Sequence, residues 1–161
     1  MGGACFVLRV PRAQVEVASS DGHTRHQVEA DTAQPRRRAL VVDDESGLAS
    51  MLAEILTPLG YRCDWAATGR DAQQLLSDRD YDAILCDLRM PEMVGQALYG
   101  WLEENRPHLC QRTAFVTGDT LSQAVGNFLA HSGRLVLEKP FVAEEVRLLV
   151  AALAANGPCD R

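Results

Sequence analysis

The sequence has almost no lysine. Of its 16 basic residues, Lys139 is the one lysine and the other 15 are arginines. So strong a bias is typical of a GC-rich genome, where drift favours arginine codons. A lysine that persists in such a chain indicates a position where the broad, planar guanidinium group does not fit. Lys139 is therefore the first candidate for a functional residue.

The sequence also lacks a basic excess, a long apolar run and a paired-cysteine motif. Its net charge of −6 argues against a general nucleic-acid-binding protein. No apolar run approaches the length of a membrane span, about 18 residues, and the first residues lack the basic leader of a signal peptide. The five cysteines are odd in number and form no C-x-x-C, which favours a reducing compartment. We expect a cytoplasmic protein that contacts neither nucleic acid nor membrane.

The beginning of the chain is polar and without periodicity. Residues 14–37 are predicted to be a linker, because they hold few large apolar side chains. His23 and His26 lie there at a spacing of three, which is more typical of solvated histidines than of a metal site. Residues 157–161 are predicted to be a short tail.

From residue 38 onward, predicted strands and helices alternate five times. Short continuous apolar runs indicate strands buried on both faces, and each is followed by apolar residues at helical spacing. This pattern predicts an α/β domain over residues 38–156, with a flavodoxin-like, doubly wound parallel sheet of strand order 2-1-3-4-5 and helices on both faces. The strands are predicted in "RALVVDD", "YRCDWA", "YDAILCD", "RTAFVTGD" and "RLVLEKP", all buried except the weaker second one.

Chemically active side chains stand at the carboxyl ends of four of these strands. The first ends in Asp43 and Asp44, the third in Asp87, the fourth in Thr117 and the fifth in Lys139; we expect nothing notable from the second. In such sheets, ligands bind beyond these strand ends. Each residue alone has an ordinary explanation, such as an aspartate that caps the next helix.

Together, the four strand ends indicate a metal-dependent phosphate site. Carboxylates that converge without a partner repel one another, and Mg²⁺ relieves this repulsion because it prefers oxygen ligands. One carboxylate could then attack phosphorus, while a lysine ammonium and a hydroxyl stabilise the phosphoryl oxygens.

Four motifs in this order resemble the receiver domain of two-component signalling. They are "LVVDDE", "DLRMPEMVG", "FVTGD" and "LEKPF", and the likeness covers about residues 38–155. The resemblance implies that Asp87 is the phosphoacceptor, that Thr117 is the switch hydroxyl and that Lys139 contacts the phosphoryl group. The domain would assist its own phosphorylation and dephosphorylation, so its status as an enzyme stays open.

The resemblance also implies the magnesium ligands. Asp44 would bind Mg²⁺ directly, Asp43 mainly through water, and Asp87 together with the backbone carbonyl of Arg89 would complete the protein ligands. Pro91 and Gly95 would shape the loop after the acceptor.

Three further features concern the surroundings of the expected phosphoryl group. The bond between Lys139 and Pro140 is expected to be cis. Val136 stands where the family often has an aromatic residue that swings inward on phosphorylation, so any output switch must work differently from the usual coupling to the threonine, or more weakly. Arg89 and Asp119 could pair with each other and shield the phosphoryl group from water, a hypothesis that the dephosphorylation half-life of Arg89→Ala would test.

The first residues suggest a larger parent protein. "GGACFVLRVPRA" resembles the last strand of a histidine-kinase ATP-binding domain, so residues 1–13 are predicted to be its remnant and the chain to come from a hybrid sensor histidine kinase. A short β-arm or a disordered segment is the alternative for these residues.

The expected function is that of a phosphoacceptor module in a phosphorelay. Its phosphoryl donor would be a histidine kinase in cis or in trans, and the group would leave by hydrolysis or by relay to a histidine phosphotransfer protein. A stand-alone response regulator and a receiver-like binding scaffold without phosphorylation remain alternatives, and a homodimer is compatible with the sequence. A haloacid-dehalogenase-type hydrolase is disfavoured, because "CDLRM" lacks the D-x-D pattern.

Overall fold

The computed structural model describes residues 37–90, 95–118 and 122–155. These residues contain a five-stranded parallel sheet in the order β2-β1-β3-β4-β5, which confirms the predicted flavodoxin-like fold. The strands are β1 (Arg37–Val42), β2 (Tyr61–Ala66), β3 (Ala83–Asp87), β4 (Thr113–Thr117) and β5 (Leu135–Glu138).

Helices connect consecutive strands and cover both faces of the sheet. They are α1 (Ser46–Leu56), α2 (Gly69–Asp78), α3 (Gly95–Asn105), the single turn α4 (Pro107–Cys110), α5 (Gln123–Ser132) and α6 (Ala143–Ala155), and a 3-10 turn at Thr57–Leu59 extends α1. The α4 turn was not predicted, because four residues are too few to show a helical period. Within the described residues, no helix is long and apolar enough to cross a membrane.

The core consists of two apolar layers separated by the sheet. One layer joins α1 and α6 to the sheet, and the other joins α2, α3 and α5. Strands β3 and β4 are buried along their full lengths, because helices cover both of their faces. The loops at the carboxyl ends of β3 and β4 therefore start from fully buried strands.

The fifth strand differs from its prediction. It was expected to be buried, but only Leu137 of its four residues is, and Val136 is 38% exposed. The physical reason is its place at the edge of the sheet, where one side has no neighbouring strand among the described residues. Helix α1 ends at Leu56, and the 3-10 turn leads to Gly60, which adopts the left-handed φ of 86°.

Several predictions fall on residues outside the described ranges. These are the kinase remnant at 1–13 with the histidines of the linker, the tail at 157–161, Pro91 and Asp119. The described fold begins at Arg37, which the sequence assigned to the end of the linker.

Candidate functional site

The strand register brings the predicted site residues to one edge of the sheet. Val42 of β1 lies opposite Cys86 of β3, so the next residues along each strand, Asp43 and Asp87, stand level with each other. On the other side of β3, Thr117 ends β4 and pairs with the residue that precedes Lys139. Parallel strands thus place all four side chains at the carboxyl edge, as the sequence predicts.

Lys139 joins two of the aspartates. Its Nζ atom lies 2.9 Å from Oδ2 of Asp87 and 3.1 Å from Oδ2 of Asp43. Its backbone N–H donates to the carbonyl of Thr117 at 2.8 Å, which fixes the lysine at the end of β5. The bond to Pro140 is cis, as predicted.

The two buried aspartates are held in the same way. Oδ1 of Asp43 accepts the N–H of Glu45 at 2.8 Å, and Oδ1 of Asp87 accepts the N–H of Arg89 at 2.9 Å. In each case one carboxylate oxygen binds the main chain two residues further on, and the other binds Lys139. Neither aspartate of the first strand caps α1, whose N-cap residue is Glu45.

Among the described residues, three aspartates meet at this edge and Lys139 pairs with two of them. Asp43 and Asp87 are buried, Asp44 is exposed, and ligand oxygens of all three lie within 4.8 Å of one another. Burial raises the pKa of the Asp43 carboxyl above its ordinary value, although the Glu45 N–H and Lys139 act in the opposite direction. Burial disfavours the charged form of Lys139, but its bonds to Asp87 and Asp43 outweigh this and raise its pKa.

This donor set fits a hard divalent cation. Three carboxylates offer oxygen ligands within a small space, and one of them faces solvent, where water can fill further positions. The same cluster with a single ammonium group also suits a bound phosphoryl oxygen.

Gly95 lies where the first turn of α3 meets the end of β3. A Cβ atom at this position would clash with the carbonyl oxygen of Asp87 and would come within 3.1 Å of the Cα of Leu88. Only glycine allows the backbone to approach so closely. This contact gives a physical reason for the glycine that the sequence placed in the loop after the acceptor.

Strand β2 makes a contact with a candidate site residue that the sequence did not predict. The indole Nε1–H of Trp65 donates to the backbone carbonyl of Asp43 at 2.8 Å, although the tryptophan is 48% exposed. The residue type alone does not predict this hydrogen bond. The available signal was a tryptophan near the end of an edge strand, since a partly buried indole N–H usually finds an acceptor.

The comparisons with known proteins agree with this geometry. Residues 39–151 match the response regulator receiver domain, and the chain belongs to that family. It is similar to the luminescence regulatory protein LuxO of Vibrio campbellii, with 33% identity over 112 residues that cover 68% of this chain and 24% of LuxO. It is also similar to the transcriptional regulatory protein TcrA of Mycobacterium tuberculosis, with 31% identity over 124 residues that cover 77% of this chain and 48% of TcrA.

Among solved structures, the chain is similar to the signal receiver domain of a LuxO repressor protein from Vibrio parahaemolyticus. The identity is 27%, the TM-score is 0.65, and the match covers 74% of this chain and 91% of that one. The chain spans about a quarter of the length of LuxO and about half of TcrA. The shared part is therefore the receiver domain of two-component signalling.

Proposed function

We propose that this chain is the phosphoacceptor module of a two-component phosphorelay and that Asp87 is the acceptor. The observation that carries this proposal is the position of Asp87 at the end of the central strand β3. Asp43 stands at one side of it, Thr117 at the other, and the Lys139 ammonium binds one of its carboxylate oxygens at 2.9 Å.

The arrangement supports nucleophilic attack by Asp87. A carboxylate oxygen of Asp87 forms a bond to phosphorus as the bond between phosphorus and the imidazole nitrogen of a phosphohistidine breaks, and the electron pair returns to that nitrogen. Asp87 then carries an acyl phosphate. Lys139 and the hydroxyl of Thr117 stabilise the phosphoryl oxygens, and the N–H of Arg89 keeps the carboxylate oriented.

Mg²⁺ is the cofactor in this proposal. It would be held by Asp44 directly, by Asp43 mainly through water, by Asp87 and by the backbone carbonyl of Arg89. Its contribution is to neutralise negative charge where the carboxylate and the phosphoryl group meet. The cluster of three carboxylate ligands and the solvent-facing position of Asp44 support this assignment.

The donor in this proposal is a histidine kinase in the cytoplasm. The parent hybrid kinase would act in cis, and a histidine phosphotransfer protein could receive the group afterwards. Residues 1–13 would then be the end of the kinase ATP-binding domain, 14–37 a linker, 38–156 the receiver and 157–161 a tail. Reading the gene upstream of "GGACFVLRVP" tests this origin, because a hybrid kinase requires a kinase coding sequence in the same frame.

The test of the acceptor compares two aspartate variants. The wild type and both variants are incubated with acetyl phosphate and Mg²⁺, and covalent labelling is followed by intact-protein mass spectrometry. We expect Asp87→Asn to abolish labelling and Asp78→Asn, an exposed aspartate at the end of α2, to label like the wild type. Equal labelling of Asp87→Asn and the wild type would reject the assignment, and a wild type that never labels would favour the scaffold function.

A further inference from the structure

Trp65 forms a hydrogen bond with the backbone of a candidate site residue. Its indole N–H reaches across from the edge strand β2 and donates to the carbonyl of Asp43 at 2.8 Å. The ring borders a shallow groove between β2 and α1, whose wall includes the small residues Ser46, Ala49 and Ala53. The side chain is 48% exposed, so only about half of its surface is buried in the fold.

The carbonyl that Trp65 binds belongs to the peptide that joins the two aspartates. Peptide groups are planar, so the orientation of this carbonyl also sets the direction in which the backbone leaves towards Asp44. The amide on the other side of Asp43 is fixed as well, since it donates to the carbonyl of Ala66 at 3.1 Å. Both backbone groups of Asp43 are thus tied to β2.

The two aspartates differ in how their side chains are held. The Asp43 carboxylate binds Lys139 and the N–H of Glu45, so its position is fixed twice. Asp44 is exposed, and within the described residues no hydrogen bond holds its carboxylate. The place of this carboxylate in the cluster therefore depends on the backbone between the two aspartates.

We propose that Trp65 is a positioning residue for the metal site: its indole N–H holds the peptide between Asp43 and Asp44 and thereby aims the Asp44 carboxylate into the cluster. This inference rests on the proposed magnesium-dependent function. It adds a residue of β2 to a site whose other members come from β1, β3, β4 and β5. A residue that contacts a metal-binding side chain or its backbone, but not the metal, raises metal affinity because it keeps that side chain in place before the ion binds.

The test removes the N–H and keeps an aromatic ring. Trp65→Phe is compared with the wild type and with Trp101→Phe, the matched change at the other tryptophan of the chain, which packs on the opposite face of the sheet. Mg²⁺ affinity is measured by calorimetry, and the unfolding midpoint in urea is measured without metal. We expect Trp65→Phe to bind Mg²⁺ about tenfold more weakly, with a metal-free midpoint close to that of the wild type.

Tryptophan fluorescence tests whether Mg²⁺ binding changes the surroundings of Trp65 and leaves those of Trp101 unchanged. In Trp101→Phe the remaining indole is Trp65, so we expect its emission to change on Mg²⁺ addition, with the same midpoint as the calorimetric titration. In Trp65→Phe the remaining indole is Trp101, and we expect its emission to stay constant while Mg²⁺ binds.

Two outcomes overturn the inference. An unchanged Mg²⁺ affinity in Trp65→Phe rejects it while leaving the proposed function intact, and a lower metal-free midpoint in the same variant would then assign Trp65 to packing alone. A wild type that binds no Mg²⁺ removes the proposed function and this inference together.

Discussion

The acidic residues at the two ends of the parallel strands differ in their ion pairs. The amino edge is the side of the sheet where the strands begin, and the carboxyl edge is the side where they end. At the amino edge, Asp82 accepts from the Arg112 guanidinium at 3.1 Å and from the backbone N–H of Arg38 at 2.9 Å, while Asp80 binds Arg106 and His108. At the carboxyl edge, Asp43, Asp44 and Asp87 lie close together, and Lys139 pairs with two of them, Asp43 and Asp87. Both acids at the amino edge thus have cationic partners, whereas at the carboxyl edge the ion pairs of the described residues join Lys139 to two of the three aspartates.

This difference distinguishes acidic residues that form ion pairs within the fold from those that form the candidate site. Paired acids at a protein surface contribute little stability but cost little. Clustered acids repel one another, and a bound cation would relieve this repulsion, which is the basis of the proposed magnesium site. We therefore expect substitutions at the two edges to differ in their effects on the stability of the metal-free protein and on Mg²⁺ affinity.

The largest effect is expected from Lys139→Met. It removes the cation that Asp43 and Asp87 share, so two buried carboxylates lose their partner. We expect the metal-free free energy of unfolding to fall by about 2 kcal/mol, less than for a fully buried pair, because Lys139 is 23% exposed. Urea denaturation in EDTA measures this change, and Arg147→Met, at an exposed cation of α6, is the control.

Repeating the urea denaturation of Lys139→Met with added Mg²⁺ gives a second test. A divalent cation supplies the charge that Lys139→Met removes, so we expect Mg²⁺ to raise the urea midpoint of this variant more than that of the wild type. A metal-free stability equal to that of the wild type would contradict the view that this lysine balances the cluster.

A smaller effect with a different signature is expected from Asp44→Asn. This exposed carboxylate has no cationic partner among the described residues, so its removal relieves repulsion at little structural cost. We expect metal-free stability to stay the same or to rise by about 0.5 kcal/mol, while Mg²⁺ affinity falls at least about tenfold. Calorimetric titration and urea denaturation give the two quantities, and a large loss of metal-free stability would count against repulsion among the clustered acids.

The smallest effect is expected at the amino edge. The hydrogen bond with His108, with help from Arg106, lowers the pKa of Asp80, so its charged form stabilises the fold. We expect Asp80→Asn to lose less than about 1 kcal/mol at neutral pH, since the pair is exposed. Mg²⁺ affinity should not change.

The sign of the pH dependence follows from the direction of that shift. A lowered pKa means that the stabilisation is complete above the ordinary value of 3.8 and is lost as the pH falls through the lower pKa of the folded protein. The difference between Asp80→Asn and the wild type in urea midpoint should therefore be present just above this value, shrink as the pH falls below it and disappear below the lowered pKa of the folded protein. A difference that grows on acidification would show that another group controls this edge.

The sequence predicted the central strands, and it predicted that the candidate site residues lie together at the carboxyl ends of the strands, for clear physical reasons. Continuous apolar runs marked β3 and β4, and the polar residues that ended the runs pointed to the carboxyl edge. The two contacts of Lys139 were less predictable, since the resemblance implied a contact with the phosphoryl group and the structure places the ammonium between Asp43 and Asp87.

The features that were missed depend on position in the sheet. The exposure of β5 follows from its edge position, which an apolar sequence does not reveal. The contact of Trp65 depends on the register between β1 and β2, because the indole binds a backbone carbonyl that every residue type possesses. Chemistry carried by side chains can be inferred from their spacing, but chemistry carried by the backbone appears only in the folded chain.

The most direct test of the account is to locate the phosphoryl group on the wild-type chain. After incubation with acetyl phosphate, with Mg²⁺ or with EDTA, borohydride reduces an acyl phosphate on aspartate to homoserine, and peptide mass spectrometry identifies the converted residue. We predict conversion at Asp87 alone, and only in the presence of Mg²⁺. Conversion at Asp43 or Asp44, or equal conversion at Asp87 in EDTA, would contradict a metal-dependent acceptor at the end of β3.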